Sequence, residues 1–586
     1  MVTFQQLRDA KPAAFEHFAD GWQIVSGAMS EAKDRTEARI AAGMRNAKLE
    51  GEGADAAQAR LKRLGENFHF TQVQCASVHA ALHGFAADLK AAQTKLLRAV
   101  DDARTAGYTV QEDGSLHWTR PAAGAGAHPG TPWSDMTGAK EAEAKVYAGW
   151  ISDALQQAAD ADYQWRCKLD ALLADNDLEV TDADWKDARS DTAGVRAEAA
   201  DSVPADAIPS GKTPQENADW WASLSEDERD QYLALYPEQI GRLDGLPSAV
   251  RDEANRAYMA EEGATTRMKL DGLRANEPLR YLKVGGTYRE TPEWKEWNSQ
   301  VQHYEKVKKG IQKIEERFAK TGEDGLPEAY LLGFSPKDDG RAIVATGNPD
   351  TARHTAVYVP GTGTDLSKIG GDMNRMNELW YKSSELSDGP VSTITWLGYD
   401  APDNMFKDAP FSHYADDAAS AHSSFLHGLN AAHDPSVDSH TTVIGHSYGS
   451  TVVGSTARQY DLPVDDVIFA GSPGVQVGSA SDIGASHGVY NMELPGDIVP
   501  DVGQFGHGDF QGPVEIRRGN WGLPVIDFRA PGFITPSDSE FGATQLATDD
   551  VPADMDNHSR YWKKDSGSLA NQAAVVTGNY DKAKTE

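Results

Sequence analysis

Near Ala329 the apolar pattern of this chain changes period, and no single fold class accommodates both halves. Upstream, Phe15, Phe18, Trp22, Val25 and Met29 step by three and four, the spacing that lines one helical face. A longer seam runs through Leu61, Leu64, Phe68, Thr71, Cys75, Val78, Leu82, Phe85, Leu89, Ala92 and Leu96. That is about five heptads, enough for coiled-coil packing. Leu49-Glu50-Gly51-Glu52-Gly53 breaks the two stripes apart. Residues 1–118 are therefore expected to form an antiparallel helical hairpin with facing seams. Cys75, on the seam, reads as a small buried hydrophobe. Cys167 lies in another helical stretch, and the sequence leaves open whether the two pair.

A linker composition marks residues 119–138, with Pro121, Gly124, Gly126, Pro129, Gly130 and Pro132. Residues 139–328 read as further helices with a polar joint near 190–215, where Pro204, Pro209 and Pro214 fall. Ser225-Glu226-Asp227-Glu228 has the spacing of a capping box that starts a helix.

Downstream, short β-rich runs alternate with helix-length segments: 330–334, 342–345, 355–359, 391–397, 441–444, 466–470, 489–494 and 514–517. Apolar strands separated by helices predict an α/β domain over 329–586, a doubly wound and mostly parallel sheet covered on both faces. Ligands bind at the carboxyl ends of such strands, so the chemistry is expected there.

Composition excludes several classes. With 56 basic and 89 acidic residues the net charge is −33, which disfavours nucleic acid or an anionic membrane as main partner. No apolar run reaches the length of a membrane helix. Met1 to Phe18 carries acidic groups and no central apolar run, so no Sec-type signal peptide is expected. Two cysteines build neither a disulfide framework nor a four-ligand zinc site.

Thr441–Ile444 runs from a buried strand into Gly445-His446-Ser447-Tyr448-Gly449, and a helix is expected from Ser450 to Gln459. Strand, sharp Gly-x-Ser-x-Gly turn and helix form the context of a nucleophile elbow. The glycines keep the tight turn free of clashes, and the helix N-terminus favours negative charge developing near the serine. The bare pattern is weak: with 54 glycines in the chain, chance supplies about 0.3 matches. Gly484-Ala485-Ser486-His487-Gly488 also fits, but it precedes a strand and opens no helix. Ser447 is thus the expected nucleophile.

In this architecture the acid and the histidine follow the serine on loops after later strands. Asp497, in Leu494-Pro495-Gly496-Asp497, ends a strand and is the expected acid, with Asp501 and Asp482 as alternatives. His558 follows the last strand and precedes a helix, which makes it the expected base; His507 is its rival. His446 is read as a packing residue. The oxyanion hole is expected from the Tyr448 N–H together with Thr362 or Gly363, in the glycine turn after Val357-Tyr358-Val359. No Gly-Lys-Ser/Thr completes a phosphate loop there, and Gly211-Lys212-Thr213 lacks the first glycine of that motif, Asp206 standing in its place. There is no His-Glu-x-x-His and no complete calcium loop, so neither metal nor cofactor is expected.

Val357–Thr364, Gly370–Met373, Trp396–Pro402, Gly445–Gly449 and Gly496–Pro500 together resemble a family of actinobacterial α/β-hydrolases formerly grouped as a domain of unknown function. The last stretch, with His558-Ser559-Arg560-Tyr561, is also similar to the acid and histidine neighbourhoods of triacylglycerol-lipase-like enzymes. Trp220-Trp221 and Leu243–Pro247 resemble the region preceding that domain. Gly51–Ala57 is similar to the turn of WXG-type hairpins associated with type VII secretion, although Leu49 stands where the tryptophan belongs.

The combined expectation is a serine hydrolase acting on a carboxylic ester, with a lipid or acyl ester as substrate. Two alternatives stand: an amidase or peptidase using the same triad, and an idle scaffold whose helices engage a protein partner or secretion machinery. Residues 401–415 are expected as a lid or acyl-contact loop, or as a loop packed on the sheet. The expected location is the cytoplasm, or outside the cell by a Sec-independent route.

Overall fold

A computed structural model describes residues 2–119, 133–172, 179–404, 408–409, 411–500, 507, 509–510, 516–518, 524–526 and 533–586. Most of the expected linker and Asp501 lie outside them, as do Met405, Phe406 and Pro410 of the expected lid.

The N-terminal hairpin is present. Helix α1 (Pro12–Asp34) continues through a π-helical segment, Arg35–Ala41, to Asn46. The chain turns at Gly51, with φ of 103°, and returns as α2 (Glu52–Thr105). The seam of α2 is set as the heptads require at Cys75, Leu89, Ala92 and Leu96, all buried, whereas Leu64 is exposed. On α1 the expected face is wrong for three residues: Phe18, Trp22 and Val25 are 65, 43 and 40% exposed. Ala19 and Ser26 face α2 instead. His79 Nδ1 donates to Ala19 O, and Ser26 Oγ donates to Gln72 O, 3.0 Å apart. Both contacts need close helix approach, which small residues permit and large ones obstruct. Cys75 is buried, Cys167 is exposed, and both are free thiols.

Two further helices, α3 (Trp133–Ala171) and α4 (Asp182–Glu198), pack on α2. Trp165 of α3 fills the gap left by Gly84 and donates to Asp88, 2.7 Å. The capping box at Ser225 is formed: its Oγ accepts from Glu228 N, and Glu228 accepts from Ser225 N. Long helices α5 (Ser248–Ala275) and α6 (Pro292–Ala319) follow. Between them the helical expectation fails at a β-ribbon, Tyr281–Val284 with Thr287–Glu290, turned at Gly285-Gly286. A two-glycine turn between β-branched and aromatic residues is a hairpin signal, and here it outweighs the helical surroundings.

Among the described residues the second half carries an eight-stranded sheet: β1 (Ala329–Ser335), β2 (Arg341–Thr346), β3 (His354–Val359), β4 (Val391–Leu397), β5 (His440–His446), β6 (Asp466–Ala470), β7 (Gly488–Met492) and β8 (Thr544–Gln545). Their order is β8-β7-β6-β5-β3-β4-β2-β1, antiparallel at β1–β2 and β2–β4 and parallel elsewhere. The central strands β3, β4 and β6 are buried along their whole length, which their continuous apolar and β-branched runs demand. Helices α7 (Ile369–Leu386), α8 (His413–Ala432), α9 (Tyr448–Gln459) and α10 (Gly567–Val576) pack on the sheet and on one another. One strand is misplaced by sequence. Ile516–Arg518 pairs with Pro524–Ile526 in a separate ribbon, Val514 lies outside the described residues, and the eighth sheet strand is Thr544–Gln545. Two residues are too short for an alternation pattern to register.

The outer strand β1 is covered by α5. Asp252 accepts from Leu331 N, Asn255 donates to Leu331 O, and Arg256 donates to Ala329 O. These bonds satisfy an edge that would otherwise pair with other chains. Among the described residues no helix is long and apolar enough to cross a membrane.

Candidate active site

Ser447 sits between the end of β5 and the start of α9 with φ of 54° and ψ of −130°, a strained conformation for a residue with a side chain. Its neighbours explain how the strain is held. A Cβ on Gly449 would lie 2.0 Å from Val359 O, and one on Gly445 2.7 Å from Ser450 Cα. Glycine at both positions lets α9 start against the ends of β3 and β5. The Ser447 N–H donates to Ala470 O at the end of β6, 3.0 Å.

The loops after β7 and β8 meet at the same edge. His558 Nδ1 lies 2.9 and 2.8 Å from the two oxygens of Asp497. A carboxylate accepts, so Nδ1 carries the proton and Nε2 is left with its lone pair facing away. Asp497 is fully buried and also accepts from Val499 N, 3.0 Å, and from the Tyr561 hydroxyl, 2.6 Å. Gly471, following β6, packs under this pair: a Cβ there would be 2.6 Å from Asp497 Oδ2 and 2.9 Å from His558 Nδ1. Ala470 accepts from the Ser447 backbone and Gly471 lies against the Asp497–His558 pair, so adjacent residues touch both parts of the candidate site.

The loop after β3 lies against the elbow. A Cβ on Gly361 would come within 2.6 Å of Ser447 Cβ and 3.0 Å of Tyr448 N. Of the two expected donors in this turn, the Gly363 N–H is committed to Pro402 O, 2.7 Å. Tyr399, buried in the Trp396–Pro402 stretch, donates from its hydroxyl to Pro360 O, 2.7 Å. Two residues after β4 thereby brace the turn beside Ser447.

The remaining candidates fall elsewhere. His507 is buried, with Nε2 on Ala409 O and its ring 5.1 Å from the Tyr448 ring, whereas the Asp497 carboxylate is bonded by His558. Asp482 accepts from Ser479 in a short 3-10 turn before β7. Ser486 is exposed and donates to Asp465, at the opposite edge of the sheet from Ser447.

Residues 335–507 match the sequence profile of an alpha/beta hydrolase family. An uncharacterized protein of Mycobacterium bovis is 37% identical over 196 residues, 31% of this chain and 73% of that protein. This chain belongs to the α/β-hydrolase family. An uncharacterized protein of Mycobacterium tuberculosis is 29% identical over 396 residues, 64% of this chain and 57% of the relative, so the chain spans little more than half of that relative's length. No solved structure matches.

Two parts of this α/β-hydrolase site escape sequence reasoning. Tyr561 is the first. Its hydroxyl clamps Asp497 and accepts from Leu494 N, 3.1 Å, and burial followed by the Asp497 charge pushes its pKa far up, so it stays a donor. Its nearness to His558 is visible in the chain, but its partner is not. The second is a buried relay beneath the histidine. His446 Nε2 donates to His558 O, 2.8 Å, and the two rings stack at 4.8 Å. His446 Nδ1 faces the Tyr358 hydroxyl, which Arg375 and Asp372 hold in turn. Burial, then the neighbouring His558 and Arg375, drive the His446 pKa well down, so the ring is neutral. His446 is thus the packing residue expected, and it also fixes the backbone of His558.

Proposed function

We propose that this protein is a serine hydrolase that cleaves carboxylic esters by way of an acyl-enzyme. Ser447 attacks the carbonyl carbon, and His558 Nε2 takes the hydroxyl proton and returns it to the leaving alcohol. Asp497 holds the tautomer and stabilises the imidazolium. The Tyr448 N–H, at the positive end of α9, and the Thr362 N–H hold the oxyanion, Gly363 being engaged with Pro402. The observation that carries this reading is the strained Ser447 backbone at a strand–helix junction, on the same sheet edge as a buried Asp–His pair.

An acyl or lipid ester is supported by what covers the elbow. The Tyr448 hydroxyl donates to Phe411 O and accepts from Ala415 N, tying the 411–415 segment to the residue after the serine. Tyr414 meets Tyr448 edge-on, and Phe411 is 57% exposed. This gives an apolar rim beside the carbonyl site.

A fluorophosphonate probe should label the protein at Ser447 and leave Ser447→Ala unlabelled. Labelling retained in the variant overturns the assignment. A series of p-nitrophenyl esters of rising chain length, read beside the matching anilides, separates esterase from amidase action. A second reading, in which the helical hairpin binds a helical protein partner, is favoured by the exposed stripe Phe18, Trp22 and Val25. If the hydrolase half is idle, the ester series shows no serine-dependent rate.

A further inference from the structure

The edge of the sheet opposite Ser447 carries a second constellation. Strands β5, β6 and β7 are parallel neighbours, and Asp466 pairs in register with Thr442 on one side and Gly488 on the other. His440 begins β5, Asp466 begins β6, and His487 immediately precedes β7. Parallel strands that start together bring these side chains together, although 47 positions separate the outer two along the chain. One ligand atom from each lies within 4.8 Å of the others.

We propose that His440, Asp466 and His487 bind a divalent transition metal, with zinc the best fit. Two imidazoles and one carboxylate are a zinc donor set that leaves one tetrahedral position for water. The hydrogen bonds around the trio favour a cation. His440 Nδ1 lies 2.9 Å from Val576 O, and a carbonyl only accepts, so Nδ1 carries the ring proton. Nε2 therefore turns towards Asp466 Oδ2, 2.9 Å away, while the Tyr580 hydroxyl donates to the same oxygen, 2.8 Å. A metal ion between Nε2 and Oδ2 takes the place of the proton that an imidazolium ring would share with the carboxylate. A carbonyl on the far nitrogen of a ligand histidine and a hydroxyl on a ligand carboxylate are the usual outer supports of such sites. Asp466 is fully buried, and its second oxygen, Oδ1, has no hydrogen-bond partner. Metal bonds of about 2.1 Å in tetrahedral geometry hold two ligand atoms about 3.4 Å apart, so the His440–Asp466 pair opens by only about half an ångström to admit the ion. His487 is exposed and provides the entry side.

The site lies apart from the candidate active site. Strand β5 is seven residues long, from His440 to the residue before Ser447, which places the two edges roughly 20 Å apart. Val576 ends α10 and Tyr580 follows it, so an ion here pins the C-terminal segment to the sheet.

The test uses the full chain, stripped with EDTA and dialysed. Zinc chloride titrated by calorimetry should bind at one ion per chain and raise the melting temperature, and cobalt(II) chloride should give the intense visible bands of four-coordinate cobalt. His487→Ala removes an exposed ligand, so in EDTA it should melt with the wild type yet bind zinc at least 100-fold more weakly. Its serine-dependent ester rate should be unchanged. Asp466→Asn, read by the cobalt spectrum, is the second variant. Absence of zinc binding by the wild type overturns the proposal, as does equal zinc affinity in wild type and His487→Ala, which would place the ion elsewhere.

Discussion

The chain contains the pattern Gly-x-Ser-x-Gly twice, and the two copies sit at opposite edges of one sheet. In the first, Ser447 has a positive φ, and both flanking glycines touch backbone of neighbouring elements so closely that no side chain fits. In the second, a Cβ on Gly484 meets nothing within 4 Å, Ser486 is exposed, and its hydroxyl simply donates to Asp465. The pattern alone is worth little. What distinguishes the copies is whether the turn is forced: β5 ends where α9 must start, and the crowding of β3, β5 and α9 holds a strained serine in place. Strain of this kind costs about 1–3 kcal/mol and persists only when packing over-determines it.

Substitutions break this contrast in descending order of effect. Ser447→Ala should lower kcat on an activated ester by about 10⁶, while Ser486→Ala leaves it within twofold. Loss of activity in the second variant, or its persistence in the first, exchanges the two copies. Asp497→Asn keeps the volume but presents the wrong hydrogen-bond partner to His558 Nδ1, and kcat should fall about 10⁴-fold with KM little changed.

A third comparison is one of stability. Gly449→Ala drives a methyl into Val359 O and should cost about 3 kcal/mol or more in urea denaturation. Gly484→Ala meets only the backbone penalty of its φ of +79°, about 1 kcal/mol. Tyr561→Phe removes the hydrogen bond to the charged Asp497 carboxylate, worth about 1.5 kcal/mol, together with the one accepted from Leu494 N, and should lower kcat about tenfold. Because Tyr561 positions Asp497 and touches no substrate, the acid limb of the kcat/KM profile should move while KM stays put.

The smallest effect concerns the helix behind the elbow. His422 of α8 is buried, with Nδ1 3.0 Å from Thr456 on α9, and burial lowers its pKa to about 3. It is neutral in the folded protein and titrates near 6.5 when unfolded. The unfolded state therefore takes up the extra proton between those values. Its contribution to stability is complete above pH 6.5 and is lost as pH falls towards 3, with a slope of at most about 1.4 kcal/mol per pH unit. His422→Gln should flatten the fall in urea midpoint between pH 6.5 and 4.5 by up to that amount. An unchanged slope would mean that His422 is not held neutral.

Legibility in the sequence follows how local each cause is. The elbow is readable because strand, glycine turn and helix are contiguous. Asp497 follows β7, whose apolar run shows in the chain, whereas β8, the strand before His558, is too short to show. Thr362 and Gly363 are recognisable as a turn, but only the bond from Gly363 to Pro402 separates them. Phe18, Trp22 and Val25 mislead because α1 carries apolar residues on two faces, and a period of 3.6 does not say which face a neighbour covers. Tyr561 lies three residues from His558, yet its bond to Asp497 crosses 64 positions. No linear spacing announces His440, Asp466 and His487, which only the lateral order of parallel strands assembles.

By itself the sequence determined where the sheet begins, which serine sits on a forced turn, and that Asp497 and His558 follow it in that order. Each of these depends on neighbours within a few residues. The tertiary structure decided which faces pack, which hydroxyl holds Asp497, and what the far edge of the sheet brings together. These depend on how strands lie side by side, and a strand's own residues specify its faces and ends but not the neighbours it will have.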